Sequence, residues 1–186
     1  MRLAVLADAA GVPLSSGGDA PVTGFAIDHR KVAAGNVFGA FQGASVNGED
    51  FIAAAIESGA IAVVARPEAH VAGTLHIADL EPRRAFARLA ARFYTPLPET
   101  IVSVTGTNGK TSTVEMVRQI WNIAGHHAAS IGTLGVTTQN ETVVTGLTTP
   151  DIVTFLSNLT GLAREGVTHL AYEASSHGLA QFRNEG

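Results

Sequence analysis

A glycine-rich loop between a strand and a helix is the feature that most constrains the fold of this chain. Residues 100–104 are mostly β-branched, which is typical of a strand. They run directly into the loop at 105–109, and residues 110–123 then follow the apolar spacing of a helix that Gly125 ends. A strand, a glycine loop and a helix in this order predict an α/β fold with a parallel sheet.

The loop itself is predicted to bind phosphate. Gly106 and Gly109 let backbone N–H groups approach an anion, and the following helix N-terminus favours negative charge. Lys110 would reach the β- and γ-phosphates of ATP, and the Thr111 hydroxyl would bind Mg²⁺. Val104 stands where the general Walker pattern has glycine, so this is a variant loop, and an ordinary glycine turn with an exposed lysine is the alternative. The predicted ATP-binding residues are Gly106, Thr107, Asn108, Gly109, Lys110, Thr111 and Ser112.

Glu173 is the second candidate for chemistry. It ends an apolar strand predicted at 167–173, and ligands of parallel sheets bind at the carboxyl ends of strands. There it would share the Mg²⁺ with Thr111, while Lys110 and Glu173 form the predicted catalytic pair. A strand-end glutamate that turns into solvent is the alternative. Ser175 and His177 follow, but without the nucleophile elbow of a hydrolase they do not predict one.

Two prolines divide the chain. Pro96 and Pro98 break any helix or central strand, so we predict domains at 1–97 and 98–186. Predicted strands are 22–28 and 36–41 around a turn at 33–35, 61–65, 75–78, 100–104, 128–131 and 167–173, three of them in the second domain. Predicted helices are 2–10, 49–58, one from 79 or 81 to 93, 110–123 and 151–164. The helix at 110–123 is predicted to bury Val114, Val117, Ile120 and Trp121.

Composition narrows the class of protein. The chain has 186 residues and no cysteine, which excludes thiolate metal sites. Its net charge of −4 gives no general attraction to nucleic acid or anionic lipid. No apolar run reaches the length of a membrane span, and the N-terminus lacks the basic start of a signal peptide. We therefore expect a cytoplasmic α/β protein.

Taken together, these residues resemble the Mur ligases, the ATP-dependent amide-forming enzymes of bacterial peptidoglycan synthesis. The sequence TGTNGKTST at 105–113 resembles the phosphate loop of that family. EASSHGLAQFR at 173–183 resembles the segment that marks the MurE branch, and LTTP at 147–150 resembles its substrate loop. Residues 27–65 resemble the uridine-binding domain that MurE shares with MurF.

The resemblance implies a small N-terminal uridine-binding α/β domain, followed by an incomplete P-loop-type parallel-sheet domain that binds ATP. It also implies substrate-binding residues, which are Ile27, His29, Ala44, Ser45, Val46, Thr148, Thr149, Ser175, Gln181 and Arg183. The first five would lie along the UDP moiety, and the others would hold the sugar-peptide and diphosphate. His29 departs from the serine that is usual in the family, and Leu147 stands where some members have asparagine.

The implied reaction joins a diamino acid, meso-diaminopimelate or L-lysine, to UDP-N-acetylmuramoyl-L-alanyl-D-glutamate through an acyl phosphate, with ATP and Mg²⁺. The family's C-terminal amino-acid-binding domain is absent from these residues, so this polypeptide alone is expected not to complete the ligation. Folylpolyglutamate synthase-like and cyanophycin synthetase-like ligases share the GTNGK loop, although the uridine-domain pattern speaks against them. A non-catalytic nucleotide-binding module is the alternative from another class.

Overall fold

The structure is a computed structural model, and it describes residues 1–14, 17–43, 46–144 and 150–185. The chain divides by its internal contacts into two units, Met1–Phe93 and Tyr94–Glu185. This division lies close to the two prolines that prompted the predicted domain ranges, which remain a prediction. Within the described residues, no helix combines the length and the apolar character needed to cross a membrane.

The first unit is built on a four-stranded parallel sheet. Its strands are β1 (Gly24–Ala26), β2 (Asn36–Gly39), β3 (Ala62–Ala65) and β4 (Leu75–Ala78), and they lie side by side in chain order. Its helices are α1 (Leu3–Ala10), α2 (Ile52–Glu57) and α3 (Pro82–Phe93). Every residue of β2 and β3 is buried, and the continuous apolar run at 61–65 predicts this burial for β3.

The short elements of this unit differ in two places from the sequence prediction. The predicted turn at 33–35 is present, with the Asn36 N–H donating to the Ala33 carbonyl at 3.0 Å. A turn of 3₁₀ helix at His29–Lys31 also lies between β1 and β2, which pair parallel. The predicted helix at 49–58 begins as a 3₁₀ turn at Gly48–Phe51 before α2. Asn47 and Asp28 each accept a backbone N–H at the start of these turns, which favours tight turns over longer helix or strand.

Aromatic rings fill the core between the sheet and α3. Phe86 is fully buried, and its ring meets Phe25 edge-on at 5.3 Å and Phe41 edge-on at 5.4 Å between centroids. Such pairs add to the burial of apolar area. Phe86 therefore links the sheet to α3 and to the chain that follows β2.

The second unit is built on a five-stranded mixed sheet. In chain order its elements are β5 (Thr100–Val104), α4 (Lys110–Ile123), β6 (Ala128–Gly132), β7 (Gly135–Thr137), β8 (Thr142–Val143), α5 (Ile152–Arg164), β9 (His169–Glu173) and α6 (Ser176–Ala180). The strand order is β5-β9-β6-β7-β8. The first three are parallel, as predicted, whereas β7 and β8 add an antiparallel hairpin. The predicted count of three strands is therefore wrong.

The two long helices of this unit differ in how well the sequence predicts their burial. In α5, Asp151 accepts the N–H groups of Val153 and Thr154 at 3.0 Å each. The sequence spacing predicts one buried apolar stripe on this helix, and all of its members are buried: Ile152, Phe155, Leu156, Leu159 and Leu162. In α4, Val114 is buried as predicted, whereas Val117 and Trp121 are only partly buried. Ile120 is 63% exposed, so its predicted burial is wrong. The physical reason is that α4 lies over a sheet whose outer strand, β5, has a described neighbour on one side alone.

Replacing Phe86 with alanine tests the core of the first unit. Removing a fully buried ring from two aromatic contacts should lower the free energy of unfolding by about 3–5 kcal/mol, through lost burial and the cavity left behind. Urea titration followed by circular dichroism measures this change. Leu80→Ala is the matched control, because Leu80 is 85% exposed and its removal should change stability by less than about 0.5 kcal/mol. Equal stability of the two variants would contradict this packing.

Candidate functional site

The phosphate loop and Glu173 lie at the same edge of the second sheet. Strand β5 pairs parallel with β9, and the register sets Val104, the last residue before the loop, opposite Glu173. This pairing brings the two sequence candidates together although they are far apart in the chain. The carboxyl ends of parallel strands are the usual ligand edge of such a sheet.

The loop adopts a conformation that needs its glycines. Gly109 precedes the first residue of α4 with φ 80°, and Gly106 has φ 147°, both in the range that side chains disfavour. The ammonium group of Lys110 donates hydrogen bonds to the carbonyl oxygens of Gly106 at 2.7 Å and Thr107 at 3.5 Å. A positive charge is thus held over the backbone of the loop, where it would attract an anion.

Glu173 is buried and is held by a tight turn. Its side chain accepts a hydrogen bond from the Thr133 N–H at 2.8 Å and another from the Thr133 hydroxyl at 3.3 Å. Glu173 is 2% exposed, so the alternative of a glutamate that turns into solvent is wrong. The turn belongs to the β6–β7 hairpin, in which Gly132 pairs with Gly135. Any side chain at Gly132 would collide with the Glu173 carboxylate.

A magnesium ion fits the residues at this edge. Thr111 and Glu173 line the same cavity, whose volume of about 10 Å³ is near the minimum for one water-sized occupant. Their hydroxyl and carboxylate oxygens are the ligands that Mg²⁺ prefers, and Mg²⁺ takes its remaining ligands from phosphates and water. Among residues 1–14, 17–43, 46–144 and 150–185, no cluster of three His, Cys, Asp or Glu side chains could hold a metal.

Glu115 of α4 lines the same cavity and is strongly ionised. Hydrogen bonds from Arg118, the largest influence, and from Gln119 lower the pKa of the Glu115 carboxyl to about 2, against the opposing effect of burial. Arg118 Nε donates to it at 2.9 Å, and the Ser130 hydroxyl lies at 3.3 Å. The ion pair lies within α4, and the hydrogen bond from Ser130 links Glu115 of this helix to β6.

A larger cavity of about 460 Å³ lies in the first unit. Three predicted uridine contacts, Ile27, His29 and Val46, line it, while Ala44 and Ser45 lie outside the described residues. The His29 ring stacks on Phe51 with centroids 4.2 Å apart and planes within 2°. Aromatic and imidazole surfaces of this kind can bind a flat heterocycle by stacking.

Charged side chains border this cavity. Arg30 donates to both carboxylate oxygens of Asp28, at 2.9 and 2.8 Å, and these hydrogen bonds lower the pKa of Asp28 to about 2. The Arg83 guanidinium lies 4.9 Å from the centroid of the Phe41 ring and donates to the Gln42 carbonyl at 2.9 Å. The cavity therefore combines apolar rings with charges, which suits an amphipathic anion such as a nucleotide.

The remaining predicted substrate residues belong to the second unit. The Ser175 hydroxyl accepts the Gly178 N–H at 3.0 Å and so caps α6, a structural contact that the sequence did not suggest. Gln181 and Arg183 lie beyond that helix and bond to each other. Thr148 and Thr149 lie outside the described residues. The predicted site residues thus fall into two groups, one in each unit.

Sequence reasoning missed several residues of these two groups. In the cavity of the first unit they are Phe41, Phe51 and Arg83, and beside Glu173 they are Glu115, Ser130, Gly132 and Thr133. A glycine directly after a strand at the ligand edge was an available signal for Gly132. The cavity residues come from segments far apart in sequence and carry no shared pattern.

Comparison with known proteins connects both units to one family. The family described as "Mur ligase family, catalytic domain" matches residues 21–94, and "Mur ligase middle domain" matches residues 104–186. A UDP-N-acetylmuramoyl-L-alanyl-D-glutamate–2,6-diaminopimelate ligase of Zymomonas mobilis is 60% identical over 168 residues. That alignment covers 90% of this chain and 35% of the relative, so the chain spans about a third of its relative's length.

Solved structures agree with this similarity. A structure of a UDP-N-acetylmuramoyl-L-alanyl-D-glutamate–2,6-diaminopimelate ligase superimposes with a TM-score of 0.83 at 29% identity, covering 98% of this chain and 37% of that one. A MurF ligase from Thermotoga maritima, solved in complex with ADP, superimposes with a TM-score of 0.55 at 22% identity. The superposition covers 82% of this chain and 32% of that one. The second likeness shows the fold alone.

Gly132→Ala tests the packing of the turn against Glu173. The added methyl would meet the buried carboxylate, including its carbon at 2.7 Å, and should lower the free energy of unfolding by about 1–3 kcal/mol. Chemical denaturation measures the change. Gly161→Ala is the matched control, because a methyl there has open space and sits in α5, where alanine should add about 0.5–1 kcal/mol. A Gly132→Ala protein as stable as the wild type would rule out this packing.

Acid titration tests the Glu115 ion pair. Since folding lowers the pKa of Glu115 from its ordinary 4.5 to about 2, the pair stabilises the fold fully above pH 4.5. That contribution, on the order of 2–3 kcal/mol, should disappear as pH falls from 4.5 to 2. The free energy of unfolding of Glu115→Gln, measured by urea titration at each pH, should not show this decrease between pH 4.5 and 2. Parallel pH profiles for the two proteins would show that Glu115 is not held in this way.

Proposed function

The chain belongs to the Mur ligase family, and from that premise we propose that it contributes the substrate-nucleotide site and the phosphate loop of a peptidoglycan-precursor ligase. In this proposal residues 1–97 bind the UDP substrate, and residues 98–186 bind ATP. The ligase adds meso-diaminopimelate to UDP-N-acetylmuramoyl-L-alanyl-D-glutamate in the cytoplasm. The relatives' names support diaminopimelate over lysine as the amino acid.

One observation carries the proposal for ATP. The parallel register of Val104 with Glu173 sets the phosphate loop beside a buried carboxylate, and Thr111 and Glu173 line one small cavity. An ordinary glycine turn needs neither a buried acid nor a hydroxyl next to it. Loop N–H groups and the Lys110 ammonium bind the β- and γ-phosphates. Thr111 and Glu173 hold Mg²⁺, which when bound neutralises charge on the phosphoryl group that is transferred.

The proposed reaction has two steps. A carboxylate oxygen of the D-glutamyl residue attacks the γ-phosphorus of ATP, the bond to the β-phosphate oxygen breaks, and ADP leaves with an acyl phosphate formed. The amine of diaminopimelate then attacks the acyl carbon, loses a proton, and expels inorganic phosphate to leave the amide. Lys110 contributes by holding charge where it accumulates on the transferring oxygens.

The UDP moiety of the substrate is proposed to occupy the cavity of about 460 Å³ in the first unit. Uracil stacks beside the His29–Phe51 pair, with Ile27 and Val46 along its sides. Ala44 and Ser45 remain part of this proposal, as do Thr148, Thr149 and Ser175 for the sugar-peptide. Arg183 pairs with the diphosphate, since its guanidinium is always charged and can donate two parallel hydrogen bonds.

Calorimetric titration of this chain with UDP-N-acetylmuramoyl-L-alanyl-D-glutamate tests the proposal. We expect saturable binding of this compound at one site and no binding of a folate. This pattern distinguishes a peptidoglycan-precursor ligase from a folylpolyglutamate synthase. His29→Ala should weaken binding about tenfold, because a base–aromatic stack contributes about 1–3 kcal/mol. His70→Ala in the same unit is the matched control and should bind like the wild type, because His70 is exposed and lies outside the cavity. Folate binding, or no binding of the UDP compound, would refute the proposal.

A further inference from the structure

The chain turns sharply after α6 at a residue that is not glycine. The Arg183 N–H donates to the Gly178 carbonyl at 3.0 Å, and the Phe182 N–H donates to the Leu179 carbonyl at 3.1 Å. This pair of hydrogen bonds is the Schellman ending of a helix, which needs a left-handed residue and usually has glycine there. Here Phe182 takes that place with φ 53°. Non-glycine residues in this conformation cluster at functional sites.

The turn is tied to the strand that carries Glu173. The Asn184 side-chain amide donates to the Tyr172 hydroxyl at 3.0 Å. Tyr172 is 8% exposed in β9, and its ring packs against Phe155 with centroids 4.9 Å apart. Because Tyr172 directly precedes Glu173, this hydrogen bond fixes the end of the turn to the ligand edge of the sheet.

The turn also arranges two side chains. Arg183 donates from Nε at 3.0 Å and from Nη2 at 2.7 Å to the same oxygen of Gln181. Gln181 and Arg183 flank Phe182, and the reversal of the chain at Phe182 lets their side chains meet. These two hydrogen bonds restrain the guanidinium relative to Gln181.

We propose that Tyr172, Phe182 and Asn184 form a brace that positions Arg183 for an anionic ligand. The brace acts through Arg183 and does not itself touch the ligand. A guanidinium ordered in advance loses less conformational entropy when it binds an anion. The inference rests on the proposed function, in which the anion is the diphosphate of the UDP-linked substrate.

Tyr172→Phe removes the hydroxyl that accepts from Asn184 and leaves the ring against Phe155. We expect it to weaken binding of UDP-N-acetylmuramoyl-L-alanyl-D-glutamate about threefold to tenfold, the range that one hydrogen bond accounts for. Uridine, which has no diphosphate, should bind the variant and the wild type equally. Urea unfolding of the second unit should also be unchanged in the variant, which separates the loss of affinity from damage to that unit. Asn140→Ala, at an exposed position of the same unit, is the control and should leave both affinities unchanged.

Asn184→Ala removes the donor of the same hydrogen bond and should weaken substrate binding by a similar factor. If the hydrogen bond to Tyr172 carries the effect, the double variant should bind no more weakly than either single variant. Equal affinity of the wild type and both single variants for the UDP-linked substrate would overturn the brace. So would additive losses in the double variant.

Trypsin cleavage after Arg183 tests the brace without a ligand. Loosening the turn should speed cleavage of the bond between Arg183 and Asn184 in Tyr172→Phe, as measured by mass spectrometry. The control Asn140→Ala should be cleaved at the wild-type rate. Equal rates in all three proteins would overturn the brace even if the substrate binds. A wild-type chain that fails to bind the UDP-linked substrate would instead overturn the proposed function, and the role of Arg183 toward its diphosphate with it.

Discussion

The parallel pairing of β5 with β9 is the constraint on which the second unit depends. It sets Val104 opposite Glu173, so the phosphate loop and a buried carboxylate emerge at one edge of the sheet. Pairing by one residue more or less would turn each side chain of β9 to the other face of the sheet. Glu173 would then lose its contacts with Thr133 and leave the cavity that it shares with Thr111.

The buried polar groups at this edge of the sheet form hydrogen bonds with backbone N–H groups as well as with side chains. A buried carboxylate is costly unless it accepts hydrogen bonds, and the β6–β7 turn supplies both of those described for Glu173. The turn can approach because Gly132 has no side chain. The Ser130 hydroxyl of β6 donates to the Glu115 carboxylate of α4, which Arg118 of the same helix also contacts. The loop therefore lies between β5 and α4. Strand β5 is part of the parallel sheet, and α4 is hydrogen-bonded to the same sheet through β6.

Much of this fold could be predicted because its main elements have strong local signals. The apolar run at 61–65, the capped amphipathic helix from Asp151 and the glycine loop at 105–109 each specify their structure with nearby residues. β7 and β8 could not be predicted, since they are two or three residues long and owe their pairing to β6. The neighbours of His29 and Glu173 come from distant segments, which local patterns do not reveal. Ile120 fits a helical apolar stripe, but the extent of the sheet beneath it decides its exposure.

The most direct test of the account replaces Mg²⁺ with paramagnetic Mn²⁺ in a complex of the chain with ADP, observed by amide NMR. If the loop and Glu173 form one metal–nucleotide site, Mn²⁺ should broaden the amide signals of residues 106–112, of Thr133 and of Glu173, and a diamagnetic Mg²⁺·ADP sample should not. The signal of Gly125, beyond the far end of α4 in the same unit and about 20 Å along the helix from the loop, serves as the internal reference. Broadening that spares Glu173 and Thr133, or that centres on any other acidic cluster, would contradict the account.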